Sequence, residues 1–407
     1  MSVVAAERCD IAIAGGGMVG LSLAVALGEL PVDVVVIEPV TAEENDQPSF
    51  DARATALSAG SRRVLEGIGV WPLVSRQATP IRRIHVSERG AFGTASLSAA
   101  EQGLEALGHT IENCLLGTAL RDRAARLHRL RQCHAGVRGV ETGMHAVQIE
   151  TDAGDCFGAR LLVAADGARS VVRRALGIES RILDYGQHAI VAHVETSRFH
   201  EYTAWERFTP SGPLAVLPIA EGRAAVVWTL APGEASRVLA MPDEDFVAEL
   251  QHAFGMRLGR FTRVGRRQSY PLALTTAERL VAPRSVVLGN AAQSLHPVAG
   301  QGFNLALRDV AVLAELLAGN SGQDPGSREL LDRYAQWRAP DRKAVVRFTD
   351  SLVRGFGLPL ATVRGLRAAS LVLFDLLPPV KREFARRTMG LAGRQPRLVR
   401  GLPLLPP

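Results

Sequence analysis

The chain has 407 residues, of which 47% are hydrophobic and 22% charged, a composition typical of soluble globular proteins. That length is enough for two domains with a large core. The net charge of +6 reflects either attraction to acidic partners or basic residues that simply face solvent, and their spread along most of the chain favours the second. Because only 5% of residues are aromatic and no basic–aromatic platform is present, a nucleic-acid-binding function is not expected.

The cysteines lie at positions 9, 114, 133 and 156 and form no CxxC pair, so no metal site is expected. No apolar run reaches the ~18 residues that a membrane span needs. The first ten residues carry charged side chains instead of the apolar centre of a signal peptide. We therefore expect a cytoplasmic protein with reduced cysteines, for which peripheral contact with the inner membrane remains an option.

The N-terminal segment carries a dinucleotide-binding pattern. A short buried-type strand runs into GGGMVG, a helical segment follows, and a second strand ends at Glu38. In this arrangement Gly15 makes the tight turn, Gly17 lets the backbone approach a pyrophosphate, and Gly20 permits close helix–strand packing. The carboxylate of Glu38 would accept hydrogen bonds from ribose hydroxyls, which favours NAD or FAD over NADP. A βαβ unit without a nucleotide is the less favoured alternative.

The next part of the chain mixes helical and strand patterns. Arg53 lies in a loop, where it either reaches a cofactor phosphate or substrate or is simply solvated. A short helix is predicted over residues 58–68, and residues 81–97 alternate in a way that predicts an antiparallel excursion. An arginine-rich amphipathic helix is predicted over residues 112–130.

Residues 144–165 are predicted to form a hairpin that ends at Asp166-Gly167. An aspartate and small residues at the end of a buried strand indicate a crevice that faces a ligand. Residues 185–270 then contain strand-like segments separated by proline and glycine turns, with a helix at about residues 243–254. This pattern predicts an antiparallel sheet, inserted between parts of the nucleotide domain, that serves the substrate.

Residues 286–309 read VVLGNAAQSLHPVAGQGFNLALRD. A short apolar strand breaks at Gly289-Asn290, a loop with a proline follows, and a helical pattern runs from about Phe303. Backbone N–H groups at such a loop, next to a helix start, suit an anion or the polar edge of a cofactor. Together with the N-terminal motif, this stretch predicts a composite cofactor site.

The GGGMVG motif with Glu38, the Asp166-Gly167 turn and the loop from Gly289 to Asn304 follow one another in the chain. Their order resembles that in the FAD-dependent aromatic hydroxylases of the p-hydroxybenzoate hydroxylase type. Within that family the chain is similar to the ubiquinone-biosynthesis hydroxylases in FDARATALSAG, WERFTPSGPLAVLPIAEGR, SYPLAL and GNAAQSLHPVAGQGFNLALRD. The implied fold is α/β (α+β). It comprises a discontinuous Rossmann-like FAD-binding domain (1–80, 98–180, 271–340), an antiparallel-sheet substrate domain (81–97, 181–270) and a helical C-terminal region (341–407).

The resemblance also implies which residues hold FAD. The first glycines and Glu38 would hold its ADP half, and the Asp166 turn would contact FAD and, transiently, NAD(P)H. The stretch from Gly289 to Asn304 would bind the pyrophosphate–ribityl part and lie along the isoalloxazine. With Arg53 added, the residues predicted to bind cofactor are Gly15, Gly17, Gly20, Glu38, Arg53, Asp166, Gly167, Gly289, Asn290, Pro297, Gly300, Gln301, Gly302 and Asn304. Where relatives have Gly-Asp-Ala-Ala-His, this chain has Asn290 and Gln293, which removes a negative charge near the phosphates.

The implied chemistry belongs mostly to the cofactor. Flavin reduced by NAD(P)H binds O2 as a C4a-hydroperoxide and transfers oxygen to an electron-rich phenol, here a polyprenylated phenol of the 2-polyprenyl-6-methoxyphenol type. The protein must exclude water from that step. His296 either handles a proton or is a packed loop histidine, so no catalytic base is assigned. The alternatives are a flavin-dependent reductase or dehydrogenase of an isoprenoid or quinone, and a non-catalytic lipid-binding escort, which the glycines and Glu38 disfavour.

The C-terminal part has a helical pattern in which basic residues alternate with apolar clusters. Such a surface could contact an anionic membrane or other ubiquinone-biosynthesis enzymes, or it could be the solvated face of helices packed on the FAD domain. The basic residues are Arg354, Arg364, Arg367, Lys381, Arg382, Arg386 and Arg387.

Overall fold

The computed structural model describes residues 6–40, 53–357 and 361–405. The strands in chain order are β1 (Glu7–Ala14), β2 (Val34–Ile37), β3 (Ala54–Ser58), β4 (Thr79–Ile81), β5 (Arg83–Glu88), β6 (Thr94–Ser98), β7 (Gly108–Glu112), β8 (Leu130–Cys133), β9 (Val137–Thr142), β10 (Val147–Thr151), β11 (Cys156–Ala164), β12 (Ser180–Thr196), β13 (Thr203–Thr209), β14 (Gly212–Pro218), β15 (Ala224–Leu230), β16 (Phe261–Val264), β17 (Gln268–Ala277), β18 (Val281–Ala282), β19 (Ser285–Val287) and β20 (Gln293–Ser294). The helices are α1 (Met18–Leu27), α2 (Ala59–Gly67), α3 (Trp71–Val74), α4 (Asn113–Ala124), α5 (Val171–Ala175), α6 (Pro232–Leu239), α7 (Asp243–Phe254), α8 (Gly289–Ala292), α9 (Gln301–Ala318), α10 (Arg328–Gly357), α11 (Ala361–Leu376) and α12 (Pro378–Thr388).

The first sheet is an eight-stranded, mainly parallel sheet with the order β18-β19-β11-β1-β2-β8, to which β10 and β9 are added beside β11. Its central strands are continuous apolar runs such as the VVVI of β2, which suits a parallel sheet that is covered on both faces. Helix α1 is apolar on all sides and is buried between this sheet, α4 and α9. The main hydrophobic core lies here.

The second sheet has nine strands in the order β20-β17-β12-β15-β14-β13-β5-β6, with β16 paired to β12. All its pairs are antiparallel except β13 with β5. Because side chains alternate along a strand, β13 serves both faces. Trp205 packs toward Phe254 of α7, and Phe208 on the opposite face packs against Val298 and Val353.

The stretch after β18 joins the two sheets. Strand β19 lies beside β11 in the first sheet, and only a few residues later β20 pairs with β17 in the second. The chain then leaves β20 through the proline-bearing loop and enters α9, which packs on α1. The segment predicted to hold the cofactor therefore lies where the two sheets meet.

The inserted antiparallel sheet and the hairpin within residues 144–165 are confirmed. The helix predicted over residues 112–130 is too long, because α4 ends at Ala124 and Leu130 begins β8, which covers the edge of β2. The last helix of the stretch 286–309 begins at Gln301, two residues before the predicted start at Phe303.

The C-terminal region is continuous with the rest of the fold. The predicted domain boundary between residues 340 and 341 falls inside α10, and Leu398 and Val399 pack in the main core beside α2. The domain limits remain a prediction. Over the described ranges, no helix combines the length and the apolar character needed to cross a bilayer.

Candidate functional site: a composite cofactor cleft

Two of the motif glycines are required by the fold itself. Gly15 has φ +103°, and a Cβ there would lie 2.5 Å from the carbonyl oxygen of Ala165. A Cβ on Gly20 would overlap the carbonyl oxygen of Gly15. Gly17 is the N-cap of α1 and makes no side-chain cap, so the first N–H groups of that helix are available to an anion. The turn therefore has the shape that a pyrophosphate needs.

Glu38 lies beside this turn, as the pattern predicts. Its Oε2 accepts a hydrogen bond from the backbone N–H of Gly16 at 2.6 Å, and its Oε1 accepts one from Val40 at 3.1 Å. A Cβ on Gly16 would come within 2.8 Å of the Cβ of Glu38, so only glycine fits between the loop and the carboxylate. An oriented, half-buried carboxylate next to a glycine turn fits an adenosine ribose.

The Asp166-Gly167 turn adjoins the first motif, since the Ala165 N–H donates to the carbonyl of Ala14 at 2.7 Å. The carboxylate of Asp166 is used by its own helix: one oxygen accepts from the Ser170 hydroxyl and the other from the Val172 N–H at 3.1 Å. Gly167 has φ +85°, and a Cβ there would meet nothing. The turn is at the predicted place, and a role for Asp166 in FAD binding stays a prediction.

The loop from residue 289 to residue 304, here called the flavin loop, carries two left-handed glycines. Gly289 has φ +56° and packs on Val19 of α1, while Gly300 has φ +58° and caps α9. Asn290 is exposed, and a Cβ on Gly302 would meet nothing. This loop therefore has an open side next to the start of an 18-residue helix, which fits the polar edge of a cofactor.

The side chains of Gln301 and Asn304 hold the flavin loop together. Gln301 donates to the carbonyls of Ala299 and Thr388 at 3.0 and 3.3 Å. Asn304 donates to the carbonyls of Ala56 and Gly300 and accepts from the N–H of Ser58. Their predicted contact with FAD stays a prediction, and their hydrogen bonds already have a structural purpose.

Arg53 and Pro297 are the remaining predicted residues. The Arg53 guanidinium lies 4.6 Å from the ring centroid of Tyr270 in the second sheet, and Arg53 directly precedes β3, which forms a separate three-stranded sheet with β7 and β4. Pro297 starts the tight turn of the flavin loop, and its carbonyl accepts from the Gly300 N–H at 2.9 Å. Contacts of Gly15 with Ala165, of Gly289 with Val19 and of Gly300 with Ala56 bring the segments around these glycines together, and binding of cofactor by the predicted residues stays a prediction.

His296 is buried, with 1% of its surface exposed. Its Nδ1 accepts from the N–H of Val298 at 3.1 Å, so in the neutral ring the proton is on Nε2. Burial lowers its pKa to about 4, and Nε2 has no hydrogen-bond partner among the described residues. His296 is therefore a neutral donor near pH 7, with its ring edge-on to Tyr185 at 5.4 Å.

Two residues of the second sheet, Glu206 and Tyr185, were not predicted from the sequence to be functional candidates. Glu206 of β13 contacts the backbone of Ala299 in the flavin loop, and its Oε1 is buried without a partner in the described structure. The hydroxyl of Tyr185 donates to Asp350 at 3.1 Å. The only available signal for Glu206 was a charged residue within an otherwise apolar alternation, and that pattern does not show which face it occupies.

Comparison with known proteins shows the family to which the chain is related. Residues 8–349 match the family described as FAD binding domain. The chain is 41% identical to the ubiquinone hydroxylase UbiL of Rhodospirillum rubrum, over 97% of this chain and 93% of that protein. It is 33% identical to 3-demethoxyubiquinol 3-hydroxylase of Escherichia coli, over 95% and 99%.

Among solved structures, p-nitrophenol 4-monooxygenase PnpA from Pseudomonas putida superposes with a TM-score of 0.79 at 21% identity. That likeness covers 96% of this chain and all of the other, so it extends over both sheets and the C-terminal helices.

Proposed function

The chain belongs to the FAD-binding family of monooxygenases that includes the ubiquinone hydroxylases, and we propose that it hydroxylates the aromatic ring of a 2-polyprenyl-6-methoxyphenol. It is an FAD-dependent monooxygenase, and NAD(P)H is the electron donor typical of this family. Bound FAD supplies the activation of O2, and the protein supplies the position of the ring and the exclusion of water.

The proposed substrate class is supported by one row of side chains across the second sheet. Directly opposed residues of neighbouring strands share a face, and here they run Val191, Val227, Ala215, Glu206 and Val86. All but Glu206 are apolar, and most are only partly buried. The row leads to the flavin loop, where Phe208 packs on Val298. An apolar surface that ends in one polar group suits an aromatic ring with a hydrocarbon tail and a hydroxyl.

The substrate is tested by deleting the gene and analysing accumulated quinone intermediates by mass spectrometry. We expect a polyprenyl phenol without the new ring hydroxyl, and re-expression of the intact chain should remove it. Accumulation of an intermediate that already carries every ring hydroxyl would contradict the assignment. An unsaturated isoprenoid as the accumulated compound would support the reductase alternative instead.

We further propose that the protein is cytoplasmic and that it binds the inner membrane, or partner enzymes of ubiquinone biosynthesis there, through the junction of α11 and α12. Four large side chains are exposed at this apolar patch: Leu373, Leu376, Leu377 and Val380, at 57%, 70%, 40% and 48%. Exposed Arg382, Arg386 and Arg387 follow on α12. Apolar side chains beside arginines suit an anionic lipid surface. The basic surface is smaller than the sequence predicts, because Arg367 is half-buried and Lys381 is buried in ion pairs. Arg386 and Arg387 form exposed ion pairs with Glu383, and Arg364 lies among the side chains outside the described structure.

Replacing Leu373, Leu376 and Val380 by serine should weaken co-sedimentation with phosphatidylglycerol vesicles by roughly tenfold or more, because each buried apolar side chain contributes about 1.5–3 kcal/mol. The matched control replaces Met144, Ile182 and Met256, large apolar side chains that are 84%, 66% and 58% exposed elsewhere in the chain. Equal vesicle binding by both triple variants would exclude the patch. Intact vesicle binding with loss of a partner enzyme would move the proposal to protein association.

A further inference from the structure

Glu206 has an unusual place in the second sheet. It lies in β13 between Ala215 of β14 and Val86 of β5, within an apolar row on the same face as Phe208, which packs on Val298 of the flavin loop. Its chain neighbour Arg207 points to the other face, where it donates to the carbonyl of Ala253 at 3.2 Å. Burying a charged carboxylate among apolar side chains costs free energy unless the carboxylate is paired, so Glu206 needs either a hydrogen-bond partner or a proton.

The flavin loop supplies only part of that partner. The backbone N–H of Ala299 hydrogen-bonds to the Glu206 carboxyl group. Ala299 has φ +58°, a left-handed conformation that is unfavourable for a residue with a Cβ. Its Oε1 is buried and has no hydrogen-bond partner among the described residues. Glu206 thus contacts the flavin loop, and at Oε1 no described protein group competes for a proton.

The charged groups around this site are engaged elsewhere. Glu88 of β5 pairs with Arg367 of α11, and Asp350 of α10 binds the Tyr185 hydroxyl and Arg354. His296 on the flavin loop is neutral near pH 7, since its pKa is about 4. None of the described residues forms an ion pair with Glu206. Burial therefore sets its acidity and raises its pKa to about 7, and the Ala299 hydrogen bond opposes this shift.

We propose that Glu206 is a catalytic residue that accepts the proton of the substrate's phenolic hydroxyl before oxygen is transferred. This inference rests on the proposed function. In the step, the O–H bond of the phenol breaks and a new O–H bond forms on the Glu206 carboxylate, so the phenol becomes a phenolate and the carboxylate a carboxylic acid. No electrons are exchanged. When the ring regains its aromaticity, the proton lost from the substituted ring carbon protonates the product oxygen, and Glu206 releases its own proton to water before the next turnover.

The step fits both groups chemically. A phenol has a pKa of about 10 in water, so it is almost entirely protonated at neutral pH, while a phenolate is the more electron-rich nucleophile. A base whose pKa lies near the working pH is the most effective partner for such a transfer. The row of apolar side chains keeps the ring next to the carboxylate, and the Ala299 contact fixes the distance between that carboxylate and the flavin loop.

The test compares the FAD-loaded wild type with Glu206→Gln, using 2-prenyl-6-methoxyphenol with one isoprene unit as the probe. We expect ring hydroxylation at pH 7 to fall about 100-fold or more, with unchanged FAD content. The rate of the wild type should decline below about pH 7. Glu206→Gln should lack that limb and recover as the pH approaches the phenol's own pKa of about 10. A merely structural role would lower the rate alike at every pH.

The matched control is Glu195→Gln, which removes a carboxylate from the same sheet at an exposed ion pair with Arg263. A second readout does not need turnover: the ultraviolet difference spectrum of the probe bound to the oxidised enzyme. A phenolate band in the wild type and in Glu195→Gln, absent in Glu206→Gln, supports the proposal.

The outcomes separate this proposal from the function it rests on. If Glu206→Gln hydroxylates the probe with the rate and pH profile of the wild type, Glu206 is not the base and the function stands. If the wild type forms the phenolate but never hydroxylates it, the proposed reaction is wrong and the role of Glu206 in ionising a bound phenol stands. If no phenolate forms in the wild type, the proposal for Glu206 is wrong.

Discussion

Arg338 donates a hydrogen bond from Nε to Oδ1 of Asp309 at 2.5 Å, and both side chains are only 3% exposed. The other oxygen of Asp309 accepts from Nε2 of Gln293 at 2.9 Å. This pair therefore connects α10, α9 and the β20 strand within the flavin loop. It also explains the glutamine at position 293, which supplies a neutral donor to a buried carboxylate.

Replacing Arg338 by leucine should lower the free energy of unfolding by about 3–5 kcal/mol, because it leaves Asp309 buried without its cation. Arg237→Leu is the control, since Arg237 is half exposed and its pair with Glu234 should contribute less than about 1 kcal/mol. Urea unfolding measures both variants. Equal losses would mean that the Asp309–Arg338 pair adds nothing beyond a surface pair.

Gly302 and Gly233 provide a matched test of the flavin loop. Each is the second residue of its helix, neither has a positive φ, and a Cβ at either position would meet no protein atom. Gly302→Val and Gly233→Val should therefore both keep the melting temperature of the apoprotein. Only Gly302→Val should weaken FAD binding, by about tenfold or more, because the cofactor would occupy that open side. Unchanged FAD affinity in Gly302→Val would place the flavin elsewhere.

Gly15→Val should behave differently from Gly302→Val. Its Cβ would meet the Ala165 backbone, and its φ of +103° disfavours any residue but glycine. We expect loss of FAD together with a destabilised apoprotein, seen as a lower melting temperature without cofactor. A stable, FAD-free Gly15→Val protein would instead show that the clash is with the pyrophosphate alone.

The pKa of Glu206 predicts how stability changes with pH. In the folded protein it is about 7, above the ordinary 4.5, so the native state holds this proton more tightly than the unfolded chain does. The stability that protonation of Glu206 gives the folded protein is fully present below about pH 4.5 and is lost as the pH rises through about 7. Because the residue is part exposed, we expect Glu206→Gln to gain roughly 1–2 kcal/mol over wild type at pH 8 and nothing at pH 4. Denaturant unfolding of both proteins across this range measures the difference, and parallel curves would contradict the assignment.

His296 should show the opposite dependence. Its folded pKa of about 4 is below the ordinary 6.5, so the unfolded chain binds the proton more tightly and stability is lost as the pH falls from about 6.5 to 4. Nitrogen-15 NMR of labelled histidine should report a neutral ring protonated on Nε2 throughout pH 5–8. An imidazolium signal for His296 at pH 6 would show that the ring is not buried as described.

The local features of the site could be predicted from the sequence. Gly15, Gly20 and Glu38 lie within one strand–turn–helix–strand unit, whose geometry is set by neighbours in the chain. The inserted sheet was predictable for the same reason, because its strands show alternation and its turns contain proline and glycine.

The distant features could not be predicted. Asn304 binds Ser58 across 246 positions in the chain, and no local pattern indicates that such an amide is already engaged. Lys381 pairs with Asp375 and Glu101, although its setting in the sequence suggests a basic surface. Glu206 becomes a candidate base only when five strands are placed side by side in register.

We propose that this FAD-dependent monooxygenase inserts oxygen into a prenylated phenol. The direct measurement is turnover of 2-prenyl-6-methoxyphenol by the FAD-loaded protein with NADH or NADPH under ¹⁸O₂, followed by mass spectrometry of the product. We predict one ¹⁸O atom on the aromatic ring of each product molecule, and no product when O2 is left out of the reaction. A product that forms under anaerobic conditions, or one that carries no ¹⁸O, would contradict the account.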